Sequence, residues 1–231
     1  MTGGAYPQVI SELPDALPIF PLASVLLLPG GRLPLNVFEP RYRNMTADAL
    51  GGDRLIGIVQ PRRPDAASPA GSVGDREQVF ETGCAGRITE FSETDDGRIV
   101  IALSGICRFR IADELPMVKG YRRVRPDWSP YADDLDNTVG EVAGKERLLK
   151  ALIDYAANKG LDGDWASVKG MPGAVLVTSL AMMVPLATEE KQALLEARDS
   201  HERARMLTQL MEMAIHERTA AGDGAPPALR H

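Results

Sequence analysis

Apolar positions change their spacing once along the chain, near Pro126, from an alternation of two to a helical repeat. Upstream, the apolar runs are short and closed by proline or glycine. Residues 17–22 carry Pro18 and Pro21 and predict an edge strand, because proline has no N–H to offer a neighbouring strand. Residues 25–28 are wholly apolar and stop at Pro29-Gly30-Gly31, after which Leu33, Leu35 and Val37 alternate with Pro34, Asn36 and Phe38. Two strands around a turn are expected there. Pro40 suits a first helical position, where its missing N–H would be unpaired anyway, and opens a helix that runs to Leu50 and stops at Gly51-Gly52. Residues 55–60 read as a buried strand. The stretch 61–76, rich in Pro, Ala, Gly and Ser, has no periodicity and is long for a loop without a function.

The strongest local signal is a β-hairpin turning at Asp95-Asp96-Gly97, since an Asp-Gly pair accepts the positive φ of tight turns. On its outgoing strand Ile99, Ile101, Leu103, Cys107, Phe109 and Ile111 hold odd positions, and Ser104, Arg108 and Arg110 even ones, which predicts one buried and one solvent face. Gly105 interrupts that strand and predicts a bulge or a close backbone approach. A further strand is expected over 117–124. Beyond an acidic loop at 127–136, Val142, Leu148, Leu149, Leu152, Ile153 and Ala156 share one helical face that ends at Gly160. Helices are also predicted over 173–183, over 189–197 with Thr188 as N-cap, and from Asp199, where Glu202 completes a capping box. The chain thus divides into a lead-in (1–16), a strand-rich domain (17–126), a helical subdomain (127–219) and a disordered tail (220–231), an α+β organisation.

With 44% hydrophobic and 25% charged residues among 231, the chain has the balance of a soluble globular protein. Its two cysteines, Cys84 and Cys107, provide neither a disulfide framework nor a thiolate zinc set, so a reducing, cytoplasmic setting is the expectation. The longest mainly apolar stretch, 174–186, is too short to span a bilayer, and no secretory leader is expected at the N-terminus. Net charge is −6, yet residues 98–125 hold seven basic side chains against Asp113 and Glu114, a local +5 inside a remainder of −11. Arg108, Arg110, Lys119, Arg122 and Arg123, with Tyr121 among them, could line a phosphate backbone, which makes RNA binding the alternative functional reading.

Catalytic signatures are missing. Residues 140–146 approach a phosphate-binding loop but are one residue short and carry Glu146 at the magnesium position, and neither G-x-S-x-G nor S-x-x-K occurs. All three histidines, His201, His216 and His231, lie near the C-terminus, which leaves no local metal helix or triad. No cofactor, metal or catalytic residue is therefore expected. Cys84, between Gly83 and Gly86, has the look of an exposed turn position but reads chiefly as a small residue at a strand start, and Cys107 lies in the core. Phe38, Glu39, Arg41 and Tyr42 cluster at a strand-to-helix junction, with the charged pair expected to be partly buried, and form the candidate binding edge. The methionines of the helical part (Met171, Met182, Met183, Met206, Met211, Met213) read mainly as core filling.

The strings LPIFPLASVLLLPGGRLPLNVFEPRYRNM, LIGIVQP, GCAGRITEF and DDGRIVIALSGICRFRI resemble the N-terminal domain of ATP-dependent Lon proteases, and the segment from LVTSLAMMVPLATEEKQALLEARD onward resembles the helices that follow it. The resemblance covers about residues 17–215 and is most specific in FEPRY and DGR…G..RF. It implies a PUA-like β-barrel with a helical bundle, engaging unfolded or tagged client proteins, associated with a larger protease and with homo-oligomer assembly. The sequence carries neither the Walker motifs nor the serine-lysine peptidase domain of the full enzyme and is similar to stand-alone Lon N-domain proteins. The expectation is a non-enzymatic protein- or peptide-binding module using Phe38, Glu39, Arg41 and Tyr42.

Overall fold

The computed structural model describes residues 7–62, 78–94, 98–136 and 140–222. It separates into two compact units, one formed by Met1–Thr138 with Thr178–Glu196, the other by Val139–Val177 with Ala197–His231. The division differs from a single boundary at Pro126. A 3-10 turn at Ser129–Leu135 and the returning segment Thr178–Glu196 both belong with the strands.

In the first unit the strands are β1 (Leu17–Pro21), β2 (Arg32–Val37), β3 (Leu55–Val59), β4 (Thr82–Glu93), β5 (Ile99–Val118) and β6 (Tyr121–Asp127). They form one sheet in the order β2-β5-β4-β3-β1-β6, and β6 also pairs with β5, so five strands close into a ring with β2 outside it. Length makes the closure possible: β5 spans 20 residues, pairs with β2 through Ile99–Ser104 and with β6 from Arg110 onward. Among the described strands only β1 and β3 run parallel.

The barrel interior is filled by Leu17, Ile19, Leu55, Val59, Ala85, Cys107, Phe109 and Val124, joined by Trp128 and Leu135. Small and large residues alternate across it, as a narrow barrel requires. A Cβ placed on Gly57 or Gly83 would stand 2.8 or 2.7 Å from the Phe109 ring, so these glycines leave the volume that Phe109 occupies. Trp128 meets that ring edge-on at 5.7 Å and anchors its indole N–H to Pro14 O.

Several expectations change here. The β1 strand is central, between β3 and β6. Its prolines are tolerated because Pro18 precedes the β3 ladder, which begins at Ile19, and Pro21 ends it. Residues 25–28 form no strand. They run as a buried loop whose Leu27 and Leu28 seat against β4 and β5, where a Cβ on Gly86 would meet Leu27 at 2.7 Å and one on Gly105 would meet Leu28 O at 2.0 Å. Both outcomes expected of Gly105 occur, for the register also slips there: Ala85 faces Cys107 while Gly86 faces Gly105. The strand expected over 117–124 is the end of β5 and the start of β6, joined by a turn at Lys119 (φ 48°) and Gly120 (φ 86°). Two consecutive positive φ values define the tight hairpin turn that matches strand twist. The Asp95-Asp96-Gly97 turn, the centre of the 61–76 stretch and the tail after Gly222 lie outside the described residues; Glu93 faces Ile99 in the strands that flank the first.

The helices are α1 (Pro40–Gly51), α2 (Lys145–Lys159), α3 (Trp165–Gly170), α4 (Gly173–Met183), α5 (Thr188–Glu196) and α6 (Ser200–Gly222). In the second unit α2 packs on α6, with Arg147 bridging to Glu212 at 2.8 Å. Helix α2 starts later than its apolar face suggests and ends at Gly160 in the left-handed region. Thr188 lies inside α5, so the capping position is Ala187, whose N–H is accepted by Glu190 at 2.7 Å. At α6, Asp199 caps as expected, accepting from Glu202 N, while Glu202 reaches back to Arg198 N.

Candidate functional site

At the junction of β2 and α1, the four residues singled out by sequence divide. Phe38 is 65% exposed. Glu39 and Arg41 form an ion pair at 2.9 Å, with Glu39 partly buried as expected and Arg41 exposed. Tyr42 belongs to the core: its side chain is 7% exposed and its ring stacks on Phe20 with centroids 4.0 Å apart. The Arg41 guanidinium lies 4.5 Å above the same ring. Tyr42 therefore fixes the junction from below and is removed from the binding edge, because helical spacing turns it toward β1.

Beside this junction a groove of about 490 Å³ runs between Pro40, Arg43, Ala47 and Leu50 of α1 and the strand ends at Phe91, Glu93 and Ile99. Phe91 is 47% exposed. Sequence reasoning missed Phe91, which lies opposite Ile101 in the hairpin, and only the placement of α1 gives it a neighbouring wall. Helix α1 is held from its other side. Asp48 accepts from Lys119 at 2.6 Å and from the Tyr121 hydroxyl at 2.9 Å, and these hydrogen bonds keep its carboxyl below the usual carboxylate range. Burial and the same carboxylate push the Tyr121 hydroxyl up.

The basic stretch is paired. Arg108 is 4% exposed and grips both carboxylate oxygens of Asp134 at 2.8 Å, stacks over Tyr131 and donates to Leu195 O. Burial works against its charge, but Asp134 outweighs that and keeps the guanidinium protonated. Arg110 pairs with Asp127, Lys119 with Asp48, Arg122 with Glu114 and Arg125 with Asp113, and Arg123 donates to Pro116 O. Arg108 and Tyr121, both buried, are thereby withdrawn from the proposed nucleic-acid face. Alternation put Arg108 on the solvent side of β5, and α5 and the Ser129–Leu135 turn cover that side.

Cys84 is buried at the start of β4, as a small strand-start residue and not at an exposed turn, and Cys107 is buried as expected. Burial, reinforced by Asp134, pushes the Cys107 thiol up to about 12, which suits core packing and not nucleophilic chemistry. Among the described residues no group of three His, Cys, Asp or Glu side chains is placed to hold a metal ion, and no helix is long and apolar enough to cross a membrane.

Residues 16–213 match the family model described as the ATP-dependent protease La (LON) substrate-binding domain. The chain belongs to this family. It is 27% identical over 215 residues to Lon protease 2 of Myxococcus xanthus, covering 91% of this chain and 25% of that protein. A Lon protease of Cytophaga hutchinsonii is 26% identical over 213 residues, covering 88% of this chain and again 25% of the relative. The chain thus spans about a quarter of the length of these relatives, the part that the substrate-binding model describes. Among solved structures, a Lon N-terminal domain protein from Xanthomonas campestris aligns with a TM-score of 0.57 and 25% identity, covering 85% of this chain and 97% of that one. The N-terminal domain of a Mycobacterium avium complex Lon protease aligns at 0.61 with 18% identity, over 85% and 98%, and supports the α+β fold alone.

Proposed function

We propose that this chain is a non-catalytic module that binds segments of client proteins, with Phe38, Glu39 and Arg41 and the adjoining α1 groove as the contact surface. The family supports protein substrates as the ligand class and association with a larger protease as the setting. One observation carries the site: two large aromatic side chains stay exposed here, Phe91 in the wall of the groove and Phe38 two residues before Pro40, which lines it. Exposed aromatics of this kind serve as anchors for extended segments. The outer edge of β2 is less suited to strand addition, since Pro34 interrupts it.

The test is binding of reduced, carboxymethylated lactalbumin and of single-stranded RNA at low and high salt. Saturable binding of the unfolded protein that survives salt, and that Phe38→Ala weakens about five- to thirtyfold, is expected for an anchor worth roughly 1–2 kcal/mol. Unchanged affinity in a folded Phe38→Ala protein removes this site. Strongly salt-dependent RNA binding would instead return function to the basic strands.

A further inference from the structure

We propose that α5 is a releasable strap over the outer face of β4 and β5, whose local opening bares the surface around Cys84 while the barrel stays closed. This stands apart from the client-binding reading. The strap ends the returning segment Thr178–Glu196, the chain leaves it at Ala197 into the second unit, and it pairs with no strand. Polar side chains do much of the holding. Gln192 donates to Thr82 O at 3.2 Å and accepts from Gln60 at 3.1 Å, and Arg108 donates to Leu195 O at 3.0 Å. Lys191, also buried, donates to Ser24 O at 2.8 Å and to Met182 O at 3.4 Å, two carbonyl oxygens. Leu194 and Leu195 add the apolar share. Water can replace each of these polar bonds, and an ammonium buried against carbonyl oxygens regains hydration on release, so lifting α5 costs less than lifting an apolar face of equal area.

The two thiols separate this motion from unfolding. Both are fully buried, but Cys84 lies in register with Ile58 and Arg108 on the outer face, whereas Cys107 lies in register with Ala85 and within the barrel cluster. Strap release exposes the first alone. The full chain is treated with N-ethylmaleimide without denaturant, and each modified cysteine is located by mass spectrometry. Cys84 is expected to react about tenfold or more faster than Cys107, at a rate unmoved by urea below the unfolding transition, with amide exchange across Thr188–Glu196 reporting the same opening equilibrium. Gln192→Ala should raise the Cys84 rate several-fold and leave Cys107 unchanged. Equal rates, a faster Cys107, or Cys84 modification that appears only as the barrel unfolds overturns the strap, and the parent protein alone decides this if Gln192→Ala does not fold.

Discussion

Phe38 and Tyr42 lie four residues apart and have opposite surroundings, so truncating each has an opposite signature. Phe38→Ala is expected to leave thermal stability within about 0.5 kcal/mol of the parent, because the ring is mostly in water. Tyr42→Ala opens a cavity under α1 and should cost about 3 kcal/mol, read by urea unfolding. Arg108 has still larger consequences. Arg108→Ala strands the Asp134 carboxylate in a largely buried site and should cost about 3–5 kcal/mol by the same measurement. Asp48 makes stability depend on pH. Its folded value is lowered by Lys119 and Tyr121, so its contribution is fully present above the unfolded value of about 3.9 and is lost as pH falls through the lower folded value. Asp48→Asn should therefore melt below the parent at pH 7, and the two melting temperatures should converge as pH drops below about 3.

Among the elements, those specified by local chemistry were legible: Pro40 opens α1, Gly160 stops α2 and Asp199 caps α6. Elements that depend on distant neighbours were not. Residues 25–28 have the composition of a strand, yet Gly86 and Gly105 give their side chains seats, and packing displaced pairing. The Lys119-Gly120 turn was missed because lysine is an uncommon residue at positive φ. Gly105 is the sharpest test of this account. Gly105→Ala would drive a methyl against a backbone oxygen that cannot rotate away, so a loss of about 3 kcal/mol or more is expected in chemical denaturation.

For the whole molecule, the returning segment Thr178–Glu196 makes the barrel unit discontinuous in sequence. A fragment of residues 1–138 lacks the helix that accepts hydrogen bonds from Arg108 and Gln60. It should still melt cooperatively, since the five-strand ring is complete within it, but at a lower temperature than the full chain. A fragment with no cooperative transition would show that the ring cannot stand closed without the segment. The candidate groove has the same origin, because its two walls come from α1 and from strands about fifty residues away.

By itself the sequence determined the α+β class, the family resemblance, the Gly160 helix stop and the Asp199 cap, since propensity, capping and spacing act over a few residues. Tertiary structure decided which polar faces are dry. Period two marks the two faces of a strand but not whether either is covered, so Arg108 and Tyr121 read as surface until α1, α5 and the Ser129–Leu135 turn were laid over the barrel. It also decided where the basic stretch spends its charge, because Asp48, Asp127 and Asp134, which neutralise it, lie outside the window that looked basic.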